Sequence, residues 1–288
     1  MSELVPEIAQ LRQLLDAHRQ AGKTIGLVPT MGALHAGHRR LMEVARAEND
    51  VVVATIFINP TQFDRQDDLE RYPKTLEQDM ALCRDAGVDL VFAPSAAEMY
   101  PQPQLAWVDV PELTKYLCGA GRPGHFRGVA TVVTKLLLIA QPGRAYFGEK
   151  DAQQLAVIRR MARDLNIPVN IVGVPTVREA DGLAISSRNR LLNDYERLQA
   201  RTLSQALFTA RDEILAGERS VKKIQSAVAY FFDGVRLEYF SIVDTETLTP
   251  VERIEGSVLI AGAIWLGTTR LIDNVTVSVA GNSLEPDQ

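Results

Sequence analysis

A short apolar run followed by a helical stretch, repeated as far as residue 176, restricts the fold of this chain more than any other feature. Apolar runs stand at residues 24–29, 51–57, 88–92, 145–147 and 169–174. The run at 51–57 is continuous and rich in β-branched residues, the pattern of a strand buried on both faces of a parallel sheet. Helical spacing fills the gaps: Ile8, Leu11, Leu14 and Leu15 up to Gly22; Leu41, Met42, Val44 and Ala45; an apolar helix over 128–140; and a helix from Asp151 to Leu165. Thr75 reads as the N-cap of another helix, running to Ala86 and closed by Gly87. Such alternation predicts an α/β fold, a parallel sheet with helices on both faces. Beyond residue 176 the order changes to helices at 194–215 and 221–231, then strand-like runs at 237–243, 258–266 and 270–279. This α+β pattern predicts a second, smaller domain, dividing the chain into 1–178 and 179–288. Residues 281–288 read as a frayed tail.

Hydrophobic residues make up 46% of the chain and charged residues 23%, which fits a globular protein and excludes disordered or collagen-like classes. The formal charge of −5 disfavours a broad nucleic-acid or anionic-membrane surface but leaves room for a local basic pocket. The two cysteines, Cys83 and Cys118, lack metal-type spacing and read as free thiols. The N-terminus has no basic region followed by an apolar core, and no apolar run approaches the roughly 18 residues of a membrane span. A cytoplasmic protein with no nucleic-acid and no membrane partner is expected.

Two segments that follow strands and open helices carry most of the candidate chemistry. The first runs from Pro29 through Met31, Gly32, Ala33, Leu34, His35, Ala36 and Gly37 to His38. Ligands of open α/β sheets bind at the carboxyl ends of strands. A helix N-terminus there offers N–H groups and partial positive charge to a phosphate. His35 and His38, three apart, share a helix face and can donate to phosphoryl oxygens; no further metal ligands cluster nearby. The second segment is Gly148, Glu149, Lys150, Asp151, Gln153 and Gln154. A cation near a positive helix end calls for an anionic ligand, and Asp151 can accept from ribose hydroxyls or cap the helix. Ile185, Ser186, Ser187 and Arg188 suit a phosphate-binding loop or a simple turn. Asn59 and Gln62, at the end of a buried strand, are neutral groups for a substrate's hydroxyls or carboxylate. The polar stretch 59–74 is long enough to act as a lid. Asp79 reads either as a solvated helix carboxylate or as the candidate for holding Mg²⁺ through water.

These residues sit in a set of fragments that extends over most of the chain. His35-Ala-Gly-His38 after a strand, with Ser-Ser-Arg later, resembles the HIGH and KMSKS signatures of nucleotidyl-transferring Rossmann-like enzymes. The stretches VPTMGALHAGH, FINPTQF, RYPKT, GHFRGVATVVTKLL, YFGEKDAQQ, GVPTVREADGLAISSRN and LGTTRLIDN, in this order, resemble the pantothenate synthetase (pantoate–β-alanine ligase) family. The resemblance implies a Rossmann-like domain, then a smaller domain carrying a mobile Ser-Ser-Arg loop, in a homodimer. It implies that ATP and pantoate form pantoyl adenylate and pyrophosphate, that β-alanine then gives pantothenate and AMP, and that Mg²⁺ accompanies the ATP. Carried over residue by residue, it places ATP on Met31 to His38, Gly148 to Asp151, the Val177 backbone, and Ile185 to Arg188. Ile185 replaces the Met common at its position. Pantoate falls on Gln62 and Gln154, with Gln62 also near β-alanine, and the catalytic histidine on His38. His35, Lys150 and Arg188 supply charge to the phosphates. A nucleotide sensor, a tRNA-ligating enzyme and an enzyme that leaves AMP on its product share this fold. The glutamines argue against the first and the charge and length against the second; product analysis separates the third.

Overall fold

Strand β2 (Ile25–Val28) lies at the centre of the sheet that organises the first part of the chain. A computed structural model describes residues 2–64 and 69–279. The expected tail and the middle of the expected lid, residues 65–68, lie outside the described residues. Beside β2 stand β1 (Glu3–Val5), β3 (Val51–Thr55), β4 (Leu90–Phe92), β5 (Arg144–Gly148) and β6 (Asn170–Val174), in the order β1-β4-β3-β2-β5-β6. Every pair is parallel. All residues of β2, β3 and β4 are buried, which explains their unbroken apolar sequences. From β2 the chain builds outward through β3 and β4, then returns to the other side of β2 for β5 and β6. The reversal lies between β2 and β5, and a crevice at their carboxyl ends is where such sheets bind ligands.

The helices of this unit are α1 (Ile8–Gln20), α2 (Ala36–Glu48), α3 (Leu76–Asp85), α4 (His125–Ala140) and α5 (Ala152–Asp164), with shorter turns between them. Leu41, Met42 and Ala45 of α2 and Cys83 of α3 pack with Val28, Val52, Ala54 and Val91 of the sheet. Helix α4 is buried along most of its length, as its all-round apolar sequence requires. It begins at His125, earlier than periodicity alone indicates, because Gly124 turns into it at φ 80°. Strand β1 is absent from the sequence reading: it is three residues long, with only Val5 buried, and presents no alternation to detect.

A second unit comprises Lys115–Cys118, Arg178–Ala184 and the residues from Arg188 onward. Its antiparallel sheet joins β7 (Arg236–Asp244), β8 (Ser257–Leu266) and β9 (Thr269–Ser278) in sequence order. The helix read over 194–215 is two, α6 (Asp194–Gln199) and α7 (Arg201–Leu215). The Thr202 hydroxyl donates to the Gln199 carbonyl and that of Ser204 to the Arg201 carbonyl, side-chain bonds that compete with helix continuity at the break. Arg178 donates to both carboxylate oxygens of buried Asp273, at 2.6 and 3.0 Å, and fixes the start of the 178–184 segment. The division places Ile185–Ser187 with the first unit, apart from the C-terminal residues on either side. Cys83 and Cys118 are both buried free thiols. No helix among the described residues is long and apolar enough to cross a membrane.

Candidate active site

The segment after β2 is held from three sides before helix α2 begins. Thr30 ties it to β3: its hydroxyl donates to the Thr55 carbonyl at 2.5 Å, and its N–H donates to the Thr55 hydroxyl at 3.1 Å. The chain then enters left-handed backbone at Gly32 (φ 81°) and Ala33 (φ 51°). Asp79 of α3, only 2% exposed, receives the Ala33 and Leu34 N–H groups at 3.0 and 2.8 Å. His35 is the N-cap of α2, and its Nδ1 accepts the Gly37 N–H at 3.1 Å. The His38 Nδ1 accepts the His35 N–H at 3.3 Å, completing a capping box built of two imidazoles. A Cβ on Gly37 would lie 2.9 Å from His35 Cε1, so a larger residue here would displace the capping imidazole.

Because a backbone N–H can only donate, each Nδ1 is an acceptor, and each neutral ring carries its proton on Nε2. The ring centroids are 4.0 Å apart. Burial, followed by His35 and Lys150, pushes the His38 pKa down to about 3, so this ring is neutral at pH 7. The influence of Lys150 also brings the post-β5 motif to the same place. One expectation is corrected by this geometry. The backbone N–H groups of Gly32, Ala33, Leu34, His35 and Gly37 are all committed within the protein. An anion at the start of α2 therefore meets imidazole Nε2–H groups and Lys150 rather than a nest of these amides.

After β5 the chain makes a single 3-10 turn, Glu149–Asp151, and α5 follows from Ala152. Asp151 occupies the N-cap position without a side-chain cap bond and is exposed. Gln153 is turned inward and donates to the Leu113 carbonyl. Gln154 is half-buried, and its amide has no hydrogen-bonded partner among the described residues.

The turn after β3 (Pro60–Gln62) presents Gln62, 9% exposed. Asn59, 1% exposed, is not available to a substrate as the sequence suggested. Its Oδ1 accepts from the Thr61 N–H, the Thr61 hydroxyl and the Tyr100 hydroxyl, and its Nδ2 donates to Gln62 Oε1 at 3.0 Å and the Gly128 carbonyl at 3.3 Å. Asn59 thus orients Gln62, whose own Nε2 faces Met31 Sδ, a weak acceptor, at 3.0 Å. Helix α4 meets this turn so closely that a Cβ on Gly128 would lie 2.3 Å from the Thr61 carbonyl oxygen. His125 Nδ1 donates to the Gln62 carbonyl at 2.7 Å, while Arg122 donates to its Nε2 at 3.1 Å and also pairs with Asp64. Tyr100, Arg122 and His125 received no role from sequence reasoning. Tyr100 lies in an irregular segment without a signal, whereas His125 stands in the GHFRGV fragment, where only its place beside the glutamine turn reveals its use.

Asp79 was expected to hold Mg²⁺. Its oxygens instead accept two N–H groups and, at 3.1 Å, the Thr75 hydroxyl. Among the described residues no three His, Cys, Asp or Glu side chains converge to hold a metal. Val177 accepts the Ile185 N–H at 3.0 Å, which pins the start of the half-buried segment carrying Ser186 and Ser187. Arg188 is exposed and belongs with the second unit.

The histidines also set a stability prediction. His125 is pushed down to about 4, by burial first and then Arg122, from an ordinary 6.5. The unfolded chain protonates both His38 and His125 near pH 6.5, and the folded chain does so only near pH 3 and 4. Stability present above pH 6.5 is therefore lost progressively as pH falls toward 4. Urea midpoints should drop between pH 7 and 5, and His125→Gln should flatten that dependence; an equal slope in the variant would show that His125 does not contribute.

A family model described as pantoate–β-alanine ligase matches residues 3–276. A protein named pantothenate synthetase from Moorella thermoacetica is 53% identical over 96% of this chain and 99% of its own length. The pantothenate synthetase structure from Thermus thermophilus superposes with a TM-score of 0.89 at 48% identity, covering 95% of this chain and 98% of that one. A pantoate–β-alanine ligase from Francisella tularensis, solved with β-γ ATP and β-alanine, matches with a TM-score of 0.78 at 34% identity, over 96% of this chain and 97% of that one. With the His35/His38 and Gly148–Asp151 segments following β2 and β5, the strands at the switch point of the sheet, and the matches extending over nearly the whole chain, the chain belongs to the pantoate–β-alanine ligase family.

Proposed function

We propose that the protein condenses pantoate with β-alanine at the expense of ATP, through a pantoyl adenylate, releasing pyrophosphate and AMP. The observation that carries this reading is the pair of neutral imidazoles, each with its proton held on Nε2, sharing one site with Lys150. Pantoate's carboxylate is ionised at neutral pH and needs no base. Its oxygen attacks the α-phosphorus, the α–β bridging bond breaks, and pyrophosphate leaves with the electron pair. The site has to align this attack and offset charge growing on phosphoryl oxygens. His35 and His38 do so as hydrogen-bond donors, not as acids, and Lys150 does so as a fixed cation. Gln62 and Gln154 hold pantoate's hydroxyls and carboxylate, with Gln62 exchanging a sulfur contact for an oxygen. The free amine of β-alanine then attacks the acyl carbon, the carbon–oxygen bond breaks, AMP leaves with the electron pair, and the nitrogen gives up one proton to solvent. Ser186 and Ser187 supply further phosphate contacts, and the Val177 backbone reads adenine.

Mg²⁺ belongs to the nucleotide in this scheme. The carboxylate expected to hold it accepts two backbone N–H groups, so the ion would arrive with the ATP phosphates and would offset their charge there. Two buried thiols fit a reducing cytoplasm. Homodimerisation rests on the family resemblance and is checked by sedimentation.

The experiment is an incubation with ATP, Mg²⁺ and pantoate, with and without β-alanine. Without β-alanine, pyrophosphate should appear in about one equivalent per site, and adding the amine should discharge the intermediate to pantothenate and AMP. Pyrophosphate release independent of pantoate, or a stable adenylated product, contradicts the reading. Gln154→Ala should raise the pantoate Kd by about tenfold or more, the loss of one or two hydrogen bonds to a charged ligand, with ATP affinity nearly unchanged. Equal weakening of both ligands by calorimetry removes Gln154 from the pantoate site.

A further inference from the structure

We propose that Asp79 is a positioning residue: its carboxylate folds residues 32–34 into the left-handed turn that aims the His35/His38 pair. The proposal rests on the nucleotide site described above and assigns it a part supplied by helix α3. Three features of the loop converge on this one side chain. Ala33 takes φ 51°, a conformation that is strained for a residue with a Cβ and persists only where its surroundings impose it. The Ala33 N–H meets Asp79 Oδ2 at 3.0 Å and the Leu34 N–H meets Oδ1 at 2.8 Å, one oxygen for each amide. A Cβ on Gly32 would lie 2.9 Å from Oδ2, so the preceding residue must be glycine for the carboxylate to come this near.

The loop's other anchor is apolar. Leu34 is buried against the core under α2, and the next residue is the N-cap imidazole. Hence the direction in which His35 and His38 leave the loop follows from where residues 33 and 34 are held. Thr75, at the start of the same helix, donates to Oδ2 at 3.1 Å and fixes the carboxylate's rotation. An asparagine has the same shape but only one acceptor oxygen, and it would turn an NH₂ group toward one of the two amides. The geometry needs the carboxylate at this position, although it touches no substrate.

The test is Asp79→Asn, studied first without ligands. In the free protein, amide hydrogen exchange at Ala33 or Leu34 should accelerate by about tenfold or more, the consequence of losing one such bond, with the melting transition still cooperative. The ATP Kd, measured without turnover, should rise by about 10–100-fold because the donors are no longer pre-arranged. The Mg²⁺ concentration giving half-maximal pyrophosphate release should stay unchanged. A metal-ligand role predicts the reverse: unaltered exchange at both amides and a higher Mg²⁺ midpoint, and that result overturns the proposal. The exchange measurement needs no substrate, so its outcome is independent of the assigned reaction. Should Asp79→Asn fail to fold, the wild-type protein carries the test. Ala33 and Leu34 amides protected to the level of β2 in the ligand-free state support the proposal, and exchange at the rate of an open loop refutes it.

Discussion

His38→Ala is expected to lower kcat by about 10²–10³-fold, the scale measured for losing one well-aimed donor to transition-state charge. The ring's Nδ1 is occupied by the His35 N–H, so the only proton it can offer is on Nε2. Its depressed pKa excludes a charged imidazolium at neutral pH. The mutation therefore removes a neutral hydrogen bond, and the effect should appear in the pyrophosphate-forming half-reaction. The pH profile of that step should carry no inflection from this histidine near 6.5. His38 is half-buried at the first turn of α2, one turn ahead of the buried Leu41 and Met42, and is not itself one of the helix's core residues, so the variant should fold. Stopped-flow measurement of pyrophosphate release checks the prediction; a burst at nearly the wild-type rate removes His38 from the role assigned here.

Lys150→Met should be comparably damaging, with kcat/KM for ATP reduced by about 10²–10³-fold, since a full charge is removed from a site where charge develops. The substitution keeps the side chain's length and apolar stem. It carries a second readout that does not depend on catalysis. Lys150 is one of three causes holding the His38 pKa down, after burial and His35. Removing it should raise that pKa, and an imidazole titration followed by NMR in the two proteins will detect the difference. An unchanged His38 titration would show that Lys150 is too distant to act at this site.

The sheet was legible because its central strands are apolar: the run at 51–57 contains β3, buried at every residue, and the run at 169–174 contains the edge strand β6, whose Ile171 and Val174 are buried. Their order was not legible, and order places the site. Only the reversal at β2 and β5 brings His38 and Lys150 together across more than a hundred residues of sequence. Side chains with candidate chemistry are legible in the sequence, but their direction is not. Asn59 and Gln62 look alike as polar residues in one turn; burial commits the first to five hydrogen bonds and leaves the second facing a sulfur. Asp79 reads as a solvated helix carboxylate or a metal ligand, because no local pattern reveals that two N–H groups from 46 and 45 residues earlier point at it. His125 was passed over for the same reason, its partner being a backbone carbonyl on another element.

In the proposed reaction the carboxylate oxygen of pantoate becomes bonded to the α-phosphorus of ATP. Pantoate labelled with ¹⁸O at both carboxylate oxygens tests it most directly, with mass spectrometry of the products after turnover with β-alanine. One ¹⁸O is expected in AMP, one in the amide carbonyl of pantothenate, and none in pyrophosphate. Unlabelled AMP, or ADP formed together with labelled orthophosphate, would contradict it by showing that the acyl group is activated at another phosphorus.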